Sequence, residues 1–224
     1  MAVGVVLVAA GRGRRFGKPK QFEPVAGRPL YQWPLRVFDR MAAVGSIAVV
    51  VPAERAAAVR RAVARAGFRK VVAVVPGGAE RLDSVRAGLR ALPPAADTVL
   101  VHDAARALVD AGVVTRVIAG VRRSGAALAA WPVPDTVKES TARAGRPWVR
   151  RTVPRAGLWL AQTPQGFRRD LARKLYETAG PLTDDVQALE RAGRPVELVL
   201  GSSRNFKVTV REDIALCRAL LKPR

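Results

Sequence analysis

Aromatic residues supply only 5% of this 224-residue chain, so any core it forms must rest on Val, Leu and Ala. The same scarcity leaves few rings on which nucleobases could stack. A single cysteine, Cys217, excludes an internal disulfide and suits a reducing cytoplasm, the expected location. Cys217 follows Ile214 by three positions and precedes Leu220 and Leu221 by three and four, which places it near a helical apolar stripe as a packing residue and not a nucleophile. The one histidine, His102, leaves no Ser-His-Asp or Cys-His pairing to assemble, and it too is expected to be packed. No uncharged apolar run reaches the roughly 18 residues a membrane span needs. In MAVGVVLVAAGRGRR the basic residues follow the apolar run instead of preceding it, the mark of a buried first strand and not of a secretion signal. Acidic residues are also short, 18 against 39 Lys and Arg, for a formal net charge of +21.

A charge of that sign brings nucleic acid into consideration, and a basic nucleic-acid-binding protein is the alternative from a different class. The basic residues are scattered over many segments without a long run, so the expectation is no nucleic-acid partner and no membrane partner. A positive field would in any case draw in a triphosphate and a phosphate ester. With 49% hydrophobic and 25% charged residues, the chain can bury a sizeable core and still solvate its surface, as one domain over 1–224 with a projecting insertion.

Strand and helix patterns alternate. A continuous apolar run at 3–10 predicts a strand covered on both faces, and further strands are expected at 46–51, at 70–75, at the opening of 98–106 and at 126–133. Helical patterns lie near 30–40, 54–66, 84–92 (with Asp83 as its cap), 113–124, 167–178 and 184–192, with a last helix running to Leu221. Further strands are expected at 196–201 and 205–210. Residues 134–155 break the rhythm: two short candidate strands, near 136–138 and 148–153, flank Gly145 and Pro147 and predict a protruding β-hairpin arm. The repeated strand–helix units imply an α/β fold, a Rossmann-like, mostly parallel sheet sandwiched by helices, with ligands at the carboxyl ends of the strands.

The loop after the first strand, AAGRGRRFGKPKQ (9–21), fails as a dinucleotide fingerprint because Phe16 stands where Gly or Ala is needed. It fails as a P-loop because Gly11 and Gly17 are one residue too far apart and Pro19 replaces the Mg²⁺-holding Ser or Thr. What remains is a glycine-containing basic loop whose backbone N–H groups can approach phosphates.

Taken in order, AAGRGRR with PKQ (9–15 and 19–21), GGAERLDSV (77–85), HDAAR (102–106), PDTVK (134–138), TPQGF (163–167), TDD (183–185) and NFKVT (205–209) resemble the methylerythritol-phosphate cytidylyltransferase family along essentially the whole chain. The first loop is shared with many sugar nucleotidyltransferases; HDAAR together with the late NxKVT segment is far more specific. The resemblance implies a nucleotidyltransferase-type fold. It also implies transfer of CMP from CTP to 2-C-methyl-D-erythritol 4-phosphate, with release of pyrophosphate, in the non-mevalonate isoprenoid pathway, with Mg²⁺ as the cation. By that resemblance Ala9, Ala10, Gly11, Arg15 and Lys20 embrace the CTP phosphates, and Gly77, Gly78 and Ser84 form the cytosine and ribose pocket. Asp103 with Ala104 makes the ribose and metal neighbourhood. Arg106 and Thr163 contact the acceptor, Thr136 and Arg155 deliver phosphate ligands from the arm into the other subunit of a homodimer, and Thr183 and Lys207 complete the phosphate site. Ala79 departs from a frequent Asp, Ala107 from a usual Pro and Pro154 from a common Asp; none of these removes a cation. A ribitol-5-phosphate cytidylyltransferase of the same fold is the nearest alternative.

Such a reaction needs no general base, because a phosphate-monoester nucleophile is already ionised near neutral pH. Its difficulty is bringing two anions together, which positioned Lys, Arg and Mg²⁺ relieve. Lys20, Lys207 and Arg15 are accordingly the expected catalytic residues.

Overall fold

A computed structural model describes residues 2–13, 16–178 and 185–221. Its centre is a seven-stranded sheet built from β1 (Ala2–Val8), β4 (Val44–Val51), β5 (Val71–Pro76), β6 (Ala96–Asp103), β7 (Ala126–Pro132), β10 (Trp159–Arg168) and β11 (Glu197–Leu200). The strands lie in the order β11-β7-β10-β6-β1-β4-β5. Two short strands, β2 (Pro24–Val25) and β3 (Arg28–Pro29), pair with each other outside it. All contacts in the sheet are parallel except those of β10, which runs antiparallel to both β6 and β7.

The apolar runs behave as a two-sided sheet requires, with alternate side chains entering different cores. Val3, Val5 and Leu7 of β1 point to one face, where they meet Leu35 and Phe38 of α1 (Gln32–Arg40), Val59 and Val63 of α2 (Ala56–Arg65), and the valines of α4 (Ala111–Ser124). Val6 points to the other, toward Val85 of α3 (Arg81–Ala91), Ala172 and Leu175 of α5 (Arg169–Thr178) and Leu189 of α6 (Gln187–Arg191). Each fully buried Val or Leu is worth about 1.5–3 kcal/mol, and the valines replace the aromatic residues the chain lacks. Among the described residues no helix is long and apolar enough to cross a membrane.

Several expectations need correction. The segment 159–166, unassigned from the sequence, and the first two residues of the helix expected at 167–178 together form the ten-residue β10, so that helix begins at Arg169. The alternation of β10 is masked because residues 162–167 are buried together, polar and apolar alike. The helix expected at 84–92 begins one turn earlier, at Arg81. Glu80 is its cap and Asp83 sits at its third position, the two side chains each accepting from the other's backbone N–H in a capping box. The strand expected at 205–210 is irregular backbone. Val208 is buried, with Phe206 packed beside it, in a satellite cluster of Phe16, Val25, Leu30, Ile214 and Cys217 instead of a sheet, while Val210 stays exposed. Cys217 lies on α7 (Glu212–Leu220) and is 1% exposed; burial pushes its thiol up to about 11.

The arm is a hairpin of β8 (Val137–Arg143) and β9 (Arg146–Val153). Its two-residue turn, Ala144-Gly145, has φ of 47° and 73°, the left-handed pair that suits the twist of a tight hairpin. Glu139 of β8 holds Arg150 and Arg151 of β9 in ion pairs.

Candidate active site

Chain order reverses direction at β1: β4 and β5 are added on one side, β6 on the other. That switch point opens a crevice at the carboxyl ends of the strands, where ligands of such sheets bind. A cavity of about 360 Å³ lies there, walled by the loop after β1, the turn after β5, the end of β6 and Lys207.

The loop after β1 is shaped by close approach. A Cβ on Gly13, whose φ is +65°, would fall 1.9 Å from the Lys18 carbonyl oxygen, so only glycine allows the chain to fold back there. Gln21, 3% exposed, donates through Nε2 to the carbonyls of Ala9 at 2.6 Å and Gly11 at 2.9 Å. That side chain pins both ends of the turn and carries Lys20 to the cavity wall. After β5 a Cβ on Gly77 would meet Ala10 Cβ at 2.4 Å, and one on Gly78 would meet Asp83 Cβ at 2.3 Å. Bare backbone is therefore all that fits between the first loop and α3.

Asp103, at the end of β6, is buried yet paired twice. Lys207 Nζ lies 2.7 Å from Oδ2 and Arg81 Nη2 lies 3.3 Å from Oδ1. Arg81 also pairs with the buried Asp185 through Nη1. Burial alone would raise the Asp103 carboxyl, but Lys207, Arg81 and Arg106 outweigh it and hold it well below the usual carboxylate range. Burial would likewise lower the Arg81 guanidinium; Asp185 and Asp103 reverse that and fix it as a cation.

His102 has no access to the cavity. It is 0% exposed, its Nε2 lies 3.2 Å from the Arg106 carbonyl and its Nδ1 lies 3.0 Å from Thr163 Oγ1. A carbonyl only accepts, so Nε2 carries the proton and Nδ1 accepts from the threonine. Burial pushes this imidazole down to about 4, so it is neutral and structural, as expected of a packed histidine.

Of the residues singled out in the sequence, Ala9, Ala10, Gly11, Lys20, Gly78, Ser84, Asp103 and Lys207 come together on the cavity wall. Gly77 and Ala104 lie just behind it, each tied by its N–H to a strand carbonyl, Val51 and Val8 respectively. Thr163 is 3% exposed, and its hydroxyl accepts from the Asp103 N–H at 3.1 Å besides meeting His102. The Arg106 guanidinium bonds the carbonyls of Asn205 at 2.8 Å and Ala161 at 3.1 Å. Thr136 and Arg155 are exposed at the foot of the arm, where Arg155 bonds the Pro134 carbonyl. Arg15 and Thr183 lie outside the described residues. Sequence reasoning passed over Gln21, Arg81 and Asp185, although Gln21 adjoins the chosen lysine and Arg81 stands within the quoted GGAERLDSV motif.

An α/β sheet with a glycine-lined, lysine-bearing cavity at its switch point is the architecture of a nucleotidyltransferase. The solved structures it resembles bear this out. The 4-diphosphocytidyl-2C-methyl-D-erythritol synthase of Anaerococcus prevotii is 27% identical with a TM-score of 0.84, covering 99% of this chain and 98% of that one. The 2-C-methyl-D-erythritol 4-phosphate cytidylyltransferase of Thermus thermophilus is 37% identical with a TM-score of 0.78, covering 98% of each. By sequence, the 2-C-methyl-D-erythritol 4-phosphate cytidylyltransferase of Pelotomaculum thermopropionicum is 44% identical over 99% of this chain and 95% of that protein. The family model for 2-C-methyl-D-erythritol 4-phosphate cytidylyltransferase, IspD, matches residues 3–223. The chain belongs to that family and is an enzyme of the cytidylyltransferase class.

Proposed function

We propose that this cavity binds CTP and that the enzyme transfers its CMP unit to 2-C-methyl-D-erythritol 4-phosphate, giving 4-diphosphocytidyl-2-C-methyl-D-erythritol and pyrophosphate. The observation that carries the reading is the convergence of the first loop, the Gly77-Gly78 turn, Asp103, Lys20 and Lys207 on one crevice. An oxygen of the acceptor phosphate attacks the α-phosphorus, and the bond to the bridging oxygen of pyrophosphate breaks in line. Lys20, Lys207 and Arg15 offset the charge that builds up on the phosphates. Backbone groups of Ala9, Ala10 and Gly11 cradle the phosphates, while Gly77, Gly78, Ser84 and Ala104 frame the cytidine. His102, buried and neutral, takes no proton, in keeping with a nucleophile that is ionised before it binds.

The donor set suits a divalent cation that arrives with its ligands. Among the described residues no group of three His, Cys, Asp or Glu could hold a metal ion, and Asp103 already answers to two cations. Mg²⁺ takes one or two carboxylates plus substrate phosphates in such sites, and Asp103 is the side chain that would meet it. When bound, the ion supplies charge neutralisation across the triphosphate.

Thr136 and Arg155 lie away from the cavity of their own chain, and the arm exposes Trp148 at 55% and Val149 at 69%. A two-stranded hairpin is marginal in water by itself. Clasped arms in a homodimer would cover these side chains and bring Thr136 and Arg155, with Arg106, Thr163 and Thr183 of the receiving chain, to the acceptor. Light scattering at micromolar concentration should give twice the chain mass; a monomer rejects this assembly. The reaction is tested by pyrophosphate release from CTP, Mg²⁺ and methylerythritol 4-phosphate in the soluble, cytoplasm-like conditions expected of this enzyme. Parallel reactions replace the acceptor by ribitol 5-phosphate or CTP by UTP. Release confined to the first mixture supports the reading, release with ribitol phosphate alone moves the enzyme to that acceptor, and silence in all of them rejects it.

A further inference from the structure

The segment that carries Lys207 has no sheet to hold it. Between β11 and α7 the chain runs irregularly over 201–211. Among the described residues, its backbone–backbone ties to the sheet and its loops are Gly201 N–H to the Ala130 carbonyl at 2.7 Å and Val208 N–H to the Ala105 carbonyl at 2.9 Å, and Asp213 of α7 accepts from the Thr209 and Val210 N–H groups. Side chains do the rest. Asn205, 0% exposed, donates through Nδ2 to the Thr163 carbonyl at 2.8 Å and to Gln162 Oε1 at 3.2 Å. Its own carbonyl accepts from Arg106 Nη1 at 2.8 Å. Gln162, 6% exposed, turns its other polar atom to the same segment, donating through Nε2 to the Ser202 carbonyl at 2.8 Å while Oε1 also accepts from the Ser202 N–H at 3.3 Å.

The surroundings are shaped to this clasp. The register of β10 with β7 shifts between Ala161 and Gln165, and that interruption of the ladder leaves the Thr163 carbonyl for Asn205. A Cβ on Gly201 would come 2.3 Å from Gln162 Oε1, so glycine lets the segment descend onto the glutamine. Neither Asn205 nor Gln162 lines the cavity, so neither touches a phosphate bound there. Yet they connect β10, at the residue next to the hydroxyl that holds the Asp103 N–H, with the irregular stretch that delivers the Lys207 ammonium to Asp103 Oδ2 at 2.7 Å.

We propose that Asn205, gripped by Gln162, is a positioning residue for the transfer reaction: it fixes the backbone two residues before Lys207 so that the ammonium projects into the cavity at Asp103. The proposal rests on the reading of Lys207 as the cation that meets the triphosphate. A side chain that positions a catalytic cation matters to turnover more than to affinity, and its effect vanishes when that cation is gone.

A double-mutant cycle on the full chain tests this, with kcat and KM for CTP measured at saturating acceptor and referred to folded protein by thermal melting. Asn205→Ala should lower kcat by about 30-fold with KM changed by less than about threefold, and adding it to Lys207→Ala should lower kcat no further. Gln162→Ala should show the same pattern at about tenfold, and carries the cycle alone if Asn205→Ala does not fold. Losses that multiply in the double variants, or that fall on KM alone, overturn the proposal as a structural effect. Parental kcat in Lys207→Ala by itself would strike down the reading of Lys207, a failure separable from that of the clasp, which shows as an impaired Lys207→Ala beside an additive Asn205→Ala.

Discussion

Lys207→Ala is expected to lower kcat by about 10²- to 10³-fold, the usual loss when one preorganised charge at a developing anion is removed. The fold should lose about 1–3 kcal/mol: the Lys207 side chain is 40% exposed, but Asp103 is buried and keeps only Arg81 as its partner. The neighbours of Lys207 stay in place because Phe206 and Val208 pack on the satellite cluster whatever residue 207 is. In the free enzyme the ammonium sits on Asp103; in the proposed complex with the triphosphate it would face the larger negative charge. Lys207→Arg should recover only part of the loss. A planar guanidinium suits bidentate pairing and cannot place a compact charge where the ammonium sat. Single-turnover rates with saturating CTP and acceptor, beside melting curves of the three proteins, check the claim: a drop in kcat below tenfold in the folded variant would remove Lys207 from the chemistry.

The strands that form the two-sided layers of the sheet were legible because their side chains have one simple job. In β1 and β4 nearly every position is apolar or glycine and nearly all are buried, so a run of Val, Ala, Leu and Ile states the outcome. The arm announced itself by the opposite sign, polar residues and a Gly-interrupted turn. β10 was not legible, since Gln162, Thr163 and Gln165 are buried there among apolar residues to serve as hydrogen-bonding partners for other segments. Periodicity has no way to register a strand whose interior is polar for the sake of its neighbours. The segment 205–210 misled in the other direction. Its alternation of Phe206, Val208 and Val210 suggests a strand, but two of those side chains find apolar partners on α7 and the first loop, and no strand edge is offered to pair with. At the cavity, the lysines and glycines could be picked out by their motifs, whereas Gln21, Arg81 and Asp185 act through contacts 10 to 104 positions away in the chain. Their roles follow from the crossing of loops at the switch point, which no local pattern encodes.

Asp103→Asn should separate two functions of one carboxylate. In the free enzyme Asp103 stands between Lys207 and Arg81 and cancels part of their charge. The amide is nearly the same size but neutral, so the cavity gains one unit of positive charge and metal-free CTP should bind severalfold to about tenfold more tightly, as Coulomb attraction at an effective dielectric near 20 implies. On the proposed reading, the same substitution takes away the side chain that would meet a cation carried by the triphosphate. Turnover with Mg²⁺ should therefore fall by about 100-fold or more, and the Mg²⁺ concentration for half-maximal rate should rise. Stability should fall by about 1–3 kcal/mol, because an acceptor of charge-assisted hydrogen bonds is lost from a buried position, while Asp185 still holds Arg81. Titration calorimetry with CTP in the presence of a chelator, set against rates over a Mg²⁺ series, reads both effects. Tighter metal-free binding with slower turnover is what a charge-balancing, metal-meeting carboxylate demands. Weaker binding together with unchanged Mg²⁺ dependence would mean that Asp103 serves only to cap the end of β6 and hold its two cations still.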